Sequence, residues 1–385
     1  MSFSRLAKLS MTVLIIIGFA LFASSISGQQ GRGGGRGPQR GGTPQTDKVE
    51  PVNSGANPYR VILHWAHIEG RNWGGSNGVY IDSDGKTVWA TDRCSPGTVP
   101  GCLGTMANPV HHFDESGKEI ASFGGGMFVW PHGIFVDKDG SVWVADSRAP
   151  SEADLAKWPD EKNKGSDVIK FSHDGKVLMT LGKPGVRGNP PDALTDPTDV
   201  VIDPDNGDVY VAESHTDVSD PNLVGRISVF NKNGKFLRSI GMTGKEPGEF
   251  RTPHALVFDS KGELVVADRH NHRIQVLTKQ GKFLKELDEF GRVSGLAIDK
   301  NDVLYTADSE SSEAVHPGWE KGIRIGSVKD GKVTGFIPAH PLPNTPGGAM
   351  GEGIAIDPAG NLYTAETSPA LAGITKYVKN ETSEK

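Results

Sequence analysis

Two histidines sit in near-identical settings, His132 in WPHGIFVD and His254 in TPHALVFD, and Glu352 holds the same place in GEGIAID. Each lies five residues before an aspartate, respectively Asp137, Asp259 and Asp357. Two neutral imidazoles and a carboxylate are a donor set for Zn²⁺, with a fourth position open to water or substrate. The same set suits Fe²⁺. Two arginines also recur at one place, Arg93 after WATD and Arg269 after VVAD, and His215 stands two residues after the end of VYVAE. Arginine pairs in a bidentate way with carboxylates. Metal and cation clamp together suit a carboxylate-bearing small molecule or peptide C-terminus.

Such residues need a scaffold that brings distant segments together, and the chain supplies one by repetition. Six segments share an apolar strand, an aspartate-led turn, a second apolar strand and a closing acid: SNGVYIDSDGKTVWATD, WPHGIFVDKDGSVWVAD, DPTDVVIDPDNGDVYVAE, TPHALVFDSKGELVVAD, RVSGLAIDKNDVLYTAD and MGEGIAIDPAGNLYTAE. Their turn aspartates are Asp82, Asp137, Asp203, Asp259, Asp299 and Asp357. Intervals of 55, 66, 56, 40 and 58 residues fit propeller blades with insertions. A second hairpin, such as RIQVLTKQGKFLKEL, follows all but the last copy. The sixth copy lacks its fourth strand, which residues 59–66, YRVILHWA, can supply beside GITKYV. The expected fold is therefore all-β, a six-bladed β-propeller with an N-terminal strand closing the last blade and leaving no open edge. No helical periodicity separates the strands, which excludes a parallel α/β fold.

Counting five residues back from each turn aspartate places Asn77, His132, Thr198, His254, Ser294 and Glu352 in one ring at the channel mouth. The metal-capable members fall on alternate blades and could meet one ion from three sides. A lone buried histidine more often hydrogen-bonds a neighbouring strand, and it is the threefold placement that favours a metal. A second ring, Asp92, Asp146, Glu213, Asp268, Asp308 and Glu366, is too regular for catalysis and suits structural acceptors. The residues after it vary: Arg93, Ser147, Ser214, Arg269, Ser309 and Thr367. With Arg148, His215 and His270 next along, the mouth is expected to be electropositive, unless Arg93 and Arg269 pair with the acidic ring. Insertions gather on this same face, at 94–110, 147–166, 183–196, 214–225, 309–321 and 339–350, which marks it for binding.

The formal charge of −6 and the lack of a basic stripe argue against nucleic acid. Residues 1–28 read as a signal peptide, with Arg5 and Lys8 before an apolar run at 11–23 that is short for a membrane span. A retained N-terminal anchor is the alternative. Residues 29–57 read as a Gly/Arg/Pro-rich flexible linker and 58–380 as the propeller. Secretion or a periplasmic location follows, as does a monomer. In an oxidising compartment Cys94 and Cys102 could form a local disulfide.

The repeats resemble NHL repeats over about residues 59–378, most clearly in TPHAL followed by VVADRHNHRIQVL. Within that group the chain resembles the peptidyl-α-hydroxyglycine α-amidating lyases, six-bladed propellers that split a hydroxylated C-terminal glycine into a peptide amide and glyoxylate. The resemblance rests on WPHG, TPHA, WATDR, VVADR and DPTDV. It implies zinc on His132 and His254, active-site roles for Arg93 and Arg269, and a structural Ca²⁺. The family's third zinc histidine falls on Glu352, and its active-site tyrosine falls on His215. The expectation is a lyase-like metalloenzyme; the alternatives are a non-catalytic binding propeller and a metal-dependent hydrolase or lactonase.

Overall fold

The computed structural model describes residues 48–95, 101–215, 220 and 222–380. Within them six four-stranded antiparallel sheets form, five of them in simple up-and-down order. The blade containing residues 253–287 shows why. Pro253–Phe258, Leu264–Asp268, Arg273–Leu277 and Phe283–Leu287 pair in sequence, and tight turns led by Asp259 and Thr278 join the hairpins. Asp259 accepts the backbone N–H groups of Lys261 (3.0 Å) and Glu263 (2.8 Å), replacing ladder bonds lost at the turn. Asp299 holds its turn in the same way, through Asn301 and Val303.

The innermost strands are Val79–Ile81, Pro131–Val136, Pro197–Ile202, Pro253–Phe258, Gly295–Ile298 and Gly353–Ile356, here blades one to six. Each touches the next, and the sixth touches the first, so the array is closed. Second strands such as Val142–Asp146, Val209–Glu213 and Leu362–Glu366 are buried along their whole length. Each lies between two neighbouring blades. Their apolar residues build inter-blade layers, such as Val201, Tyr210, Leu256 and Leu264 between blades three and four. Fourth strands are only partly buried and have a polar outer face.

Blade six is completed from the other end of the chain. Tyr59–Ile62 pairs antiparallel with Gly373–Lys379, Tyr59 opposite Lys379 and Ile62 opposite Lys376. Trp65 extends the contact, its N–H bonding the Ile374 carbonyl at 2.8 Å. The indole then packs edge-on to Tyr363, with ring centroids 5.1 Å apart.

The N-terminal stretch was expected to be flexible linker as far as residue 57, yet residues 48–57 follow the rim of blades four and five. Asn53 donates to the Gly318 carbonyl at 2.7 Å, and Val52 and Asn53 both accept from the fully buried Arg324 guanidinium. A buried cation needs acceptors for its donors, and this arm provides two. The proposed signal peptide and most of the linker lie outside the described residues.

The insertions contain structure of their own. That after blade two's second strand forms a helix, Glu152–Lys157, opened by a capping box between Ser151 and Asp154. That before blade six forms a hairpin, His340–Leu342 with Thr345–Ala349. Cys94 and Cys102 are joined by a disulfide, with Cα atoms 5.0 Å apart. No helix among the described residues is long and apolar enough to cross a membrane.

Truncation tests the closure. Removing residues 1–65 should expose the edge of Gly373–Lys379 and produce aggregates and a lower melting temperature, whereas removing residues 1–45 should leave both unchanged. A monomeric, equally stable protein lacking residues 1–65 would contradict the interlock.

Candidate metal centre

The channel has a volume of about 790 Å³, and all six residues of the first ring line it. Blades two, three and four each start the inner strand at a proline, where a missing N–H does no harm. Pairing with the second strand then slips: the register shifts between Pro131 and Ile134, Pro197 and Asp199, and Pro253 and Ala255. An irregularity of this kind re-aims a side chain at a sheet end. His132 and His254 occupy two of these places.

Both imidazoles are held in the same way. His132 Nδ1 lies 2.6 Å from the carbonyl of Thr198, the ring residue of the next blade, and His254 Nδ1 lies 2.6 Å from that of Ser294. A carbonyl can only accept, so Nδ1 must carry the proton and Nε2 presents a lone pair to the channel. His132 Nε2 is buried and faces the Glu352 carboxylate. Burial pushes the His132 pKa down, and the nearby Arg93 adds to this against the opposing Glu352. Its imidazole is therefore neutral at neutral pH.

Glu352 Oε2 lies 3.5 Å from His132 Nε2 and 3.9 Å from His254 Nε2, and accepts from the Asn77 side-chain amide. Ligands of a tetrahedral zinc, bound at about 2.0–2.1 Å, stand about 3.3 Å apart. His215 joins the same group: one ligand-type atom from each of His132, His215, His254 and Glu352 lies within 4.8 Å of every other. Its ring centroid is 4.8 Å from that of His132 and 5.7 Å from that of His254. The donors could hold a borderline cation such as Zn²⁺ or Fe²⁺. Calcium takes six to eight oxygens, and this group offers one carboxylate.

The residues after the second ring are tied directly beside the first. The N–H groups of Arg93, Ser147, Ser214 and Arg269 bond to the carbonyls of Gly75, Trp130, Asp196 and Thr252, each two residues before a mouth residue. Blade one carries Arg93 and blade four carries Arg269, on opposite sides of a six-membered ring. The acidic ring takes other partners. Asp92 pairs with Arg71, Asp268 with Arg273 at 2.9 Å and Asp308 with Arg324 at 3.1 Å. Acids of this ring also cap the segments entering the inner strands: Asp146 accepts from Val129 at 2.7 Å, Glu213 from Thr195 at 2.6 Å and Asp268 from Arg251 at 2.7 Å.

Arg93 stacks over the Trp130 ring, 4.0 Å from its centroid, and Arg269 is buried, 3.8 Å from Glu310. Glu310 also meets Arg292 at 3.1 Å. Sequence reasoning missed Trp130 and Glu310, although Trp130 stands immediately before Pro131 and His132. It also overstated the charge of the mouth. Arg148 pairs with Asp154 at 3.0 Å, and His270 is buried against Thr252.

Residues 250–277 match the NHL repeat model. The chain is a six-bladed propeller with one segment that matches the NHL repeat, and it is similar to amidating lyases. This propeller is 32% identical over 206 residues to peptidyl-glycine alpha-amidating monooxygenase B of Xenopus laevis, over 51% of this chain and 21% of that one. It is 30% identical over 161 residues to the probable peptidyl-alpha-hydroxyglycine alpha-amidating lyase of Caenorhabditis elegans, over 41% of this chain and 39% of that one. The matched part of the chain thus spans about a fifth of the length of the first of these relatives and about two fifths of the second. Its fold is shared with the crystal structure of a putative gluconolactonase, at a TM-score of 0.54 and 12% identity, covering 87% of this chain and 97% of that one.

Below the mouth, burial raises Asp199 to about 7, against the lowering effect of amide bonds from Leu256 and Val200. An acid whose folded pKa lies above its unfolded 3.8 contributes stability that is fully present below that value and is lost as pH rises through about 7. Asp199→Asn should remove this loss. Denaturant titrations should show the variant gaining on wild type between pH 4 and 8, with a slope that approaches about 1.4 kcal/mol per pH unit midway. A constant difference would contradict the assignment.

Proposed function

We propose that this propeller is a metal-dependent carbon–nitrogen lyase of the amidating type, acting outside the cytoplasm on compounds that end in an α-hydroxyglycine. The observation that carries the reading is the convergence of His132, His254, Glu352 and His215 within 4.8 Å at a channel mouth flanked by Arg93 and Arg269. Similarity to amidating lyases supports it, and the disulfide is compatible with export.

His132, His254 and Glu352 would hold Zn²⁺, with Fe²⁺ as the alternative, and leave one position for substrate. The bound ion would supply Lewis acidity, lowering the pKa of the substrate α-hydroxyl. His215 is the proton acceptor. It is half-buried while the other three are buried, and a fourth protein ligand would close a tetrahedral site. It takes the hydroxyl proton as the carbonyl of glyoxylate forms and the carbon–nitrogen bond breaks. The bonding electrons pass to the amide nitrogen, which recovers a proton from His215, and no water is consumed. Arg93 and Arg269 hold the carboxylate that leaves with glyoxylate.

The test follows glyoxylate release from an α-hydroxyglycine-capped peptide. Zinc-loaded wild type should turn it over. Arg269→Ala should lose ten- to a hundredfold in kcat/KM, the equivalent of about 1.5–3 kcal/mol for a charge-assisted contact, and His132→Ala should be inactive. No turnover by wild type defeats the lyase reading. Turnover that needs His132 but not Arg269 points to a hydrolase, and a metal-free protein tolerant of His132→Ala points to a binding module.

A further inference from the structure

Away from the mouth, a second group of ligand-type side chains meets where blade one abuts blade two. Asp82 ends the inner strand of blade one. His112 comes from that blade's third strand, Val110–Phe113, and His173 from the turn between Asp167–Phe171 and Val177–Leu181 of blade two. One candidate ligand atom from each lies within 4.8 Å of the others. His173 Nε2 is 2.9 Å from Asp82 Oδ2, and His112 Nε2 is 3.1 Å from the same oxygen. Both distances approach the roughly 3.3 Å between neighbouring ligands of a tetrahedral zinc.

The surroundings orient these groups as outer contacts orient metal ligands. The His112 ring stacks on Trp89 with centroids 4.0 Å apart and planes within 9°. Trp89 Nε1 donates to Asp82 Oδ2 at 3.0 Å, while Oδ1 accepts from the Ser83 amide at 2.5 Å and hydroxyl at 3.0 Å. The Thr87 hydroxyl lies 2.8 Å from His112 Nε2 and donates to Asp84 Oδ2 at 2.8 Å, so a metal on His112 would take the place of the Thr87 contact. Burial alone would raise the Asp82 pKa, but hydrogen bonds from His112, His173 and Trp89 outweigh it and hold the carboxyl well below the usual range. Asp82 and His112 are buried, while the His173 side chain is 53% exposed, which gives an ion a route in and open positions for water.

We propose that Asp82, His112 and His173 form a second Zn²⁺ site, separate from the channel mouth, that ties blade one to blade two. Asn77 at the mouth and Asp82 are five residues apart, about 16 Å along an extended chain, and no residue is shared.

The test titrates ZnCl₂ into chelator-stripped intact protein by calorimetry, with parallel thermal melts, for wild type, His173→Ala, His132→Ala and the double variant. His173→Ala also removes a hydrogen bond to Asp82, so each variant's zinc-induced shift is read against its own metal-free melting temperature. The expected result is one fewer equivalent of zinc whenever His173 is replaced, in both the wild-type and His132→Ala backgrounds, with a smaller zinc-induced rise in melting temperature. Equal stoichiometry with and without His173 would overturn the proposal and leave a hydrogen-bonded triad. Failure of the mouth to bind metal would appear separately, as no difference between wild type and His132→Ala.

Discussion

Crowding of the six inner strands around the axis is the constraint on which the rest depends. A Cβ on Gly78 would lie 2.3 Å from the His132 carbonyl oxygen, one on Gly295 2.3 Å from that of Glu352, and one on Gly353 2.4 Å from that of Asn77. On Gly133 it would lie 2.7 Å from that of Thr198. None of these separations is tolerable between non-bonded atoms, so glycine follows the mouth residue in four of the six blades. Strands this close leave no lateral space for the mouth residues, whose side chains turn into the channel. Threonine hydroxyls clasp the same junctions. Thr91 donates to the His132 carbonyl and Thr198 to that of Pro253, both at 2.9 Å.

The chemistry of the mouth follows from that packing. Because neighbouring blades approach so closely, the carbonyl of one mouth residue reaches the imidazole of the preceding blade, and the tautomer of His132 and His254 is set by ring closure itself. Burial then keeps His132 neutral. A neutral imidazole with its lone pair on the channel side is the form a metal requires. Folding and the orientation of these imidazoles are thus one event, and loosening of the ring would free them to rotate.

How much was legible in the sequence depended on direction. Along a strand the rule is simple: side chains alternate, turns recur after a fixed number of residues, and counting back from Asp137, Asp259 and Asp357 reaches three side chains that line one channel. Closure of blade six by residues 59–62 was legible for the same reason, since one copy lacked a strand. Contacts between blades obey no such period. Asp82, His112 and His173 come from an inner strand, a third strand and a turn of the next blade, and nothing in VHHF or SHDG announces the meeting. Trp130 under Arg93, Glu310 beside Arg269, and Val52 and Asn53 on Arg324 belong to the same class. Arg148 and His270 looked cationic in the sequence because the partners that occupy them, Asp154 and Thr252, were not visible from spacing.

The carboxylate at position 352 shifts the balance of forces at the mouth. A divalent ion on two neutral imidazoles and one carboxylate carries a net charge of about +1, where three imidazoles would leave about +2. The lower charge polarises a bound hydroxyl less. A bound cation would in turn make the buried Glu352 tolerable, because an ionised carboxylate in a dry site is costly unless positive charge stands beside it. Asn77 donates to Oε2 and, were that oxygen to bind the ion, would draw density away from it and restore part of the acidity. Arg93, close enough to depress His132, adds a field of the same sign without occupying a coordination position. In a site built this way the arginines and Asn77 would carry more of the stabilisation of developing negative charge and the ion less. Replacing Glu352 by histidine would then change the dependence of the chemistry on Arg93 as well as its rate.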